Sequence, residues 1–201
     1  MSYIFDFKWG QPGSRLGQLA NPFGIALDAS QDLYVAEINN NRVQKFDKDG
    51  GAIGILGGPG SGNGLFNRPH DVAVDSGGNV YVADSNNNQI QKFTGSGDPI
   101  RSWGQFGSNQ GEFNGVVKVG VDLSGNVYTS ENGNNRIQKF KVNDGSFITM
   151  WGSLGSDDGE FEGPGGIAIM PGSVTFQQER VYVVDRGNNR IQVFRPKLIN
   201  Q

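Results

Sequence analysis

LYVAEINNNRVQKF (33–46) returns as VYVADSNNNQIQKF (80–93), VYTSENGNNRIQKF (127–140) and VYVVDRGNNRIQVF (181–194). Tyr34, Tyr81 and Tyr128 are 47 residues apart, and Tyr182 follows after 54. Phe46, Phe93, Phe140 and Phe194 give the same spacings, so the extra residues of the fourth repeat lie before its tyrosine. A fixed period of this length, filled with short strand-like runs, marks a propeller or a solenoid.

Working outward from the second repeat gives four strand signals. DVAVD (71–75) is strand A, VYVAD (80–84) strand B, QIQKF (89–93) strand C, and a strand D ends at IRSWG (100–104). Strand B is apolar on consecutive positions, which suits a strand covered on both faces by packed neighbours. Four-stranded sheets stacked around an axis provide both covers. Trp9, Trp103 and Trp151, with Leu56 in the equivalent place, precede the glycine that ends strand D and read as plugs between blades. Residues 3–10 (YIFDFKWG) read as a D strand standing alone, and the fourth repeat stops after its C strand. The phase therefore predicts one domain over 1–201, an all-β propeller of four blades (about 11–57, 58–104, 105–152 and 153–195) closed by the 3–10 strand joining the last blade. That velcro device would remove exposed sheet edges; a larger ring completed by other copies or further repeats is the alternative.

Glycine makes up 32 of 201 residues, which in an aperiodic chain would signal a linker. Here Gly17, Gly64, Gly111 and Gly159 recur in register, two residues before Leu19, Phe66, Phe113 and Phe161, and so mark turns. The net charge of −3 argues against a general nucleic-acid binder, which carries a basic footprint. The absence of cysteine excludes disulfides, thiolate zinc sites and a cysteine nucleophile. MSYIFDFKWG has neither the charge order nor the apolar run of a signal peptide, and no stretch of the chain is long enough to span a bilayer, so the expectation is a soluble protein of unassigned compartment.

The stretches GIALDASQDLYVAEINNNRVQKF, DVAVDSGGNVYVADSNNNQIQKF and RVYVVDRGNNRIQVF resemble NHL repeats, and the resemblance covers essentially the whole chain. It implies a β-propeller serving as a binding scaffold. NHL propellers typically carry six blades, so a chain with four departs from the family. Some NHL-like propellers are lyases or hydrolases with a metal held by several channel histidines. His70 is the only histidine of this chain, which is too few for a three-histidine zinc site.

Two residue sets converge on the face that carries the D-to-A and B-to-C connections. Glu37, Asp84, Glu131 and Asp185 open the B-to-C loops; Arg42, Gln89, Arg136 and Arg190 close them. Because the pair recurs, its first reading is structural, each arginine forking onto a carboxylate or a loop carbonyl and pinning the asparagine-rich turn. The second set is where repeats differ, at the start of strand A: Phe23 and Gly24, His70 and Asp71, Val117 and Lys118, Gly165 and Gly166. Phe23, His70, Asp71 and Lys118 are the binding candidates at the channel mouth; drifted loops without a ligand are the alternative. Asp28, Asp75 and Asp122 are expected to cap their own tight turns. No cofactor is expected, with calcium on Asp71, backbone carbonyls and water as the one metal option. GSVTFQQER (172–180) is expected to extend the fourth hairpin on the opposite face.

The leading functional expectation is a non-enzymatic scaffold that binds a protein or another macromolecule through the loop-covered face. A metal-assisted lyase or hydrolase is the second. A repeat fragment whose activity is folding and self-association is the third. Nucleic acid and membrane are not expected partners.

Overall fold

The computed structural model describes residues 3–170 and 179–197, and the expected hairpin over 172–180 falls almost entirely outside them. Among the described residues fifteen strands form four antiparallel sheets in chain order, making a four-bladed β-propeller. Blade 1 comprises β1 (Pro22–Leu27), β2 (Leu33–Glu37), β3 (Arg42–Phe46) and β4 (Ala52–Leu56). Blade 2 comprises β5 (Pro69–Val74), β6 (Val80–Asp84), β7 (Gln89–Phe93) and β8 (Pro99–Trp103). Blade 3 comprises β9 (Val116–Val121), β10 (Val127–Glu131), β11 (Arg136–Phe140) and β12 (Phe147–Trp151), and blade 4 has β13 (Pro164–Met170), β14 (Arg180–Asp185) and β15 (Arg190–Phe194).

The register repeats from blade to blade. Tyr34 stands opposite Ala26 and Lys45, Tyr81 opposite Ala73 and Lys92, and Tyr128 opposite Gly120 and Lys139. Each lysine lies 4.6–5.4 Å from its tyrosine ring centre, a cation–π contact. The turns after strand A are closed by the expected aspartates: Asp75 Oδ1 accepts from the Gly77 and Asn79 N–H groups at 2.9 Å, and Asp28 does the same for Ser30 and Asp32. An asparagine in the left-handed region (Asn41, Asn88, Asn135, Asn189) sits before every strand C, a conformation that asparagine tolerates.

Between blades the core is aromatic. A loop phenylalanine meets the phenylalanine that ends strand C, as Phe66–Phe93, Phe113–Phe140 and Phe161–Phe194, with ring centres 5.4–5.6 Å apart. The tryptophans fill the role expected of them: Trp103 of blade 2 lies 6.0 Å from Phe140 of blade 3, and Trp151 of blade 3 lies 5.6 Å from Phe194 of blade 4. Strands β6 and β10 are buried along their whole length, as expected of strands sandwiched between neighbours.

Blade packs on blade from first to fourth through the inner strands β1, β5, β9 and β13; no comparable packing joins blade 4 to blade 1 among the described residues. The expected velcro closure is not made. Residues 3–10 form no strand, and blade 4 keeps three. Trp9 instead packs on Phe46 at 6.2 Å and against Gly50, both in blade 1, so the aromatic plug holds the segment to the blade that follows it in sequence. With its plug seated on blade 1 and blade 4 not packed beside that blade, the segment does not reach β15 of its own chain.

Phe140→Ala removes a ring that touches Phe113, Trp103 and Phe147. Urea unfolding is expected to show a loss of about 3–5 kcal/mol. Leu123→Ala, at an exposed turn, is expected to change stability by less than about 0.5 kcal/mol.

Candidate binding face

Each blade carries a buried carboxylate that gathers two loops. Glu37 is fully buried and accepts from the Ala20 N–H (2.9 Å), Asn40 Nδ2, Arg42 Nε and Gln44 Nε2 (2.6 Å each). Arg42 then donates its remaining N–H groups to the carbonyls of Ser14, Arg15 and Gln18, and Asn40 donates to the Gly13 carbonyl. The loop before strand A is thereby clasped to the loop after strand B. Glu131 repeats the set with Asn114 N–H, Asn134, Arg136 and Gln138, and Asp185 repeats it with Glu162 N–H, Asn188, Arg190 and Gln192. In blades 1, 3 and 4 the acid and the arginine bond to each other, and the arginine also to loop carbonyls. The asparagine three residues and the glutamine seven residues after each acid went unnoticed in the sequence, although both recur at fixed offsets in all four repeats.

Blade 2 departs from the pattern. Asp84 is fully buried and hydrogen bonds to Asn67 N–H, Asn87, Gln89 and Gln91, with no cation at the arginine position. Burial pushes its carboxyl above the usual range. At Asp185 burial acts in the same direction but is outweighed by the Glu162 N–H and Arg190, which hold that carboxyl low.

The four mouth candidates come together in one row across three blades. Phe23 on β1 lies 5.3 Å from the His70 ring on β5. Asp71, beside His70, receives Lys118 Nζ at 2.8 Å on Oδ1 and the Val119 N–H at 3.0 Å on Oδ2. Gly24 makes this possible, since a Cβ there would sit 2.4 Å from Asp71 Oδ1. Phe23 is exposed (58%), His70 half-buried and Lys118 partly exposed, whereas Asp71 is buried with both oxygens occupied. Asp71 therefore positions Lys118 and does not itself face solvent. Burial, with Arg68 adding to it, lowers the His70 imidazole below its ordinary range, so it is neutral at pH 7. The row thus presents an aromatic ring, a neutral imidazole and an ammonium tethered by a carboxylate. In blade 4 the equivalent positions are Gly165 and Gly166, which add no side chain to it.

With this geometry repeated blade by blade, the model of the NHL repeat matches residues 19–46, 66–93 and 161–194. Three of the chain's four repeats are NHL repeats. The unmatched third blade keeps the NHL clasp through Glu131, Arg136 and Gln138. Protein brain tumor of Drosophila melanogaster is 45% identical over 47 residues, 23% of this chain and 4% of that protein. B-box type zinc finger protein ncl-1 of Caenorhabditis elegans is 43% identical over 47 residues, 23% of this chain and 6% of that protein. The shared stretch is one NHL repeat in length, a small fraction of either relative. Among solved structures, a gluconolactonase of Xanthomonas campestris superposes with a TM-score of 0.64 at 16% identity over 92% of this chain and 64% of its own. A virginiamycin B lyase of Staphylococcus aureus bound to quinupristin gives 0.61 at 19% identity, over 92% of this chain and 57% of its own. At these identities the likeness is one of fold. No helix among the described residues is long and apolar enough to cross a membrane.

Two variants separate the clasp's parts. Arg136→Ala leaves Glu131 buried without its cation and is expected to cost about 3–5 kcal/mol in urea unfolding. Gln89→Arg supplies the cation that blade 2 lacks. Folded Asp84, with its raised pKa, binds more protons than the unfolded chain, so the fold loses stability as pH rises from about 3.9 through the folded value. The arginine is therefore expected to stabilise by about 1–2 kcal/mol at pH 7 and by less at pH 4; an equal gain at both pH values would mean that Asp84 is not what it relieves.

Proposed function

We propose that this chain is a non-enzymatic NHL propeller scaffold that binds a protein or another macromolecule through its loop-covered face at the channel mouth. The observation that carries this reading is the contrast between two kinds of position on that face. The clasp residues recur from blade to blade, with glutamine for arginine in blade 2, and spend their polar groups on one another and on loop carbonyls. Phe23, His70 and Lys118 differ from their equivalents, lie in one row and keep surface for a partner. Such a row suits a macromolecular ligand: the exposed ring offers apolar area, and the ammonium, held by Asp71, meets an acidic group without first losing the entropy of a free lysine.

The NHL resemblance supports the same class of role, and the reading needs no cofactor. The reading assigns the Asp71 carboxylate to the Lys118 ammonium and the Val119 N–H and gives it no cation to hold. The acidic net charge favours a protein partner over nucleic acid.

The test is affinity capture on the immobilised chain against a nuclease-treated cell extract, comparing Phe23→Ala/His70→Ala/Lys118→Ala with Lys48→Ala on the opposite, exposed C-to-D turn. A specific partner should be retained by the Lys48 variant and lost at least tenfold by the triple variant, with the Lys48 variant melting like the parent and the triple variant, in which Asp71 loses its cation, melting lower but folded at the capture temperature. Equal capture by all three proteins would remove the mouth as the binding site.

A further inference from the structure

Blade 4 ends in an open edge among the described residues, and two cavities flank it. One, of about 480 Å³, lies between Trp151, Phe194 and Lys139. The other, of about 380 Å³, runs along β15 from Arg190 to Phe194. In blades 1 to 3 the corresponding space is filled by strand D. There Val43 stands opposite Leu56, Ile90 opposite Trp103 and Ile137 opposite Trp151. The C-to-D turn of the same blade covers the preceding blade's plug, as Gly145 covers Trp103. Among the described residues of blade 4 no such turn lies over Trp151.

The outer faces of blades 1 and 4 are two halves of one missing contact. Ile25 on β1 is 66% exposed, while its equivalents Val72 and Val119, which meet the preceding blade, are 3% and 6% exposed. On blade 4 Val184 and Ile191 are exposed, whereas Ala36, Ala83, Val43, Ile90 and Ile137 at the same positions are fully buried. Where other blades place Lys45, Lys92 and Lys139 over a tyrosine, blade 4 has Val193, half exposed. Two apolar faces of this kind, one a leading face and the other a trailing face, fit each other and not themselves.

Residues 3–10 supply the remaining part. They hold the sequence phase of strand D, they are exposed, and they belong to no sheet. Aligned on the glycine that follows each D strand, Trp9 falls opposite Ile191, Lys8 opposite Gln192, Phe7 opposite Val193 and, past the bulge common to the other blades, Phe5 opposite Phe194. Trp9 already occupies, on Phe46, the seat that Trp103 occupies on Phe140. The segment can therefore stay on its own blade 1 and pair along its free edge with a blade 4 stacked in front of blade 1. Within one chain blade 4 is not there.

We propose that residues 3–10 of one copy complete blade 4 of a second copy, stacking blade 4 of that copy on blade 1 of the first. The contact is head-to-tail, and two copies joined at both ends would make eight blades, within the range at which propellers close. The overlay supports an arc that is not yet a ring, since four blades cover 57–64% of the larger propellers they superpose on.

The absence of native cysteine allows a direct test. Phe7→Cys and Val193→Cys, which leave Trp9 on Phe46, are made as two separate chains, each checked for unchanged melting, then mixed, equilibrated and oxidised. Opposed strand residues meet the spacing a disulfide needs. The expected product is a bridged pair that forms in the mixture and not in either variant alone, together with a native parent mass by light scattering of at least twice 21.7 kDa. Two results would overturn the proposal: no bridge in the mixture with a parent that stays at the mass of one chain, or a bridge that forms only when both cysteines lie in the same chain, which would mean velcro closure within one copy.

Discussion

Everything on the loop face hangs on a carboxylate taken out of water. In each blade one acid at the end of strand B accepts four hydrogen bonds, from a backbone N–H, an asparagine, an arginine or glutamine, and a second glutamine. A buried charge is tolerable only when its lone pairs are filled, so the acid dictates where all four donors lie. Those donors come from the loop before strand A, the loop after strand B and the first half of strand C, and the clasp therefore fixes where each strand A begins. The spacing of Phe23, His70 and Lys118 across three blades is set by a feature that none of them touches.

The same economy governs contacts between blades. A leading face presents the strand A side chains at the positions of Ile25, Val72 and Val119; a trailing face presents those of Ala36, Ala83 and Val184. Each internal junction consumes one of each. An arc that does not return on itself must leave one leading and one trailing face in water, and this is the physical origin of the exposed Ile25, Leu27, Ile191 and Val193. Exposed apolar surface of this extent, framed by an unpaired strand edge, is a liability for a lone protein and a ready-made interface for a repeat of itself.

Repetition and individuality are divided cleanly between parts of a blade. Strands B and C carry the period, and their residues are spent on the clasp and the core. The first turn of strand A varies, and there the repeats acquire an aromatic ring, an imidazole, an acid and a lysine in turn. Asp71 shows how the two interact. Its carboxylate is a varied residue used structurally, held in place by the room that Gly24 leaves, and its effect reaches the surface through Lys118.

The period of Tyr34, Tyr81, Tyr128 and Tyr182 and the acids at their fixed offset were enough to determine the strands, the blade order, the turns capped by Asp28 and Asp75, and the inter-blade place of the tryptophans, because each depends on local pattern and on a unit that repeats. The clasp was half legible: charged partners stand out in a sequence, while the amides of Asn40 and Gln44 look like solvated loop and strand residues until the distances are known. Only the tertiary structure decided that Phe23 meets His70, that Asp71 is spent on Lys118, and that residues 3–10 stay with blade 1. Those outcomes depend on which surfaces face each other across separate blades. The strand phase says that one D strand is spare and one is missing, but only the curvature of the stack determines whether the two can reach each other.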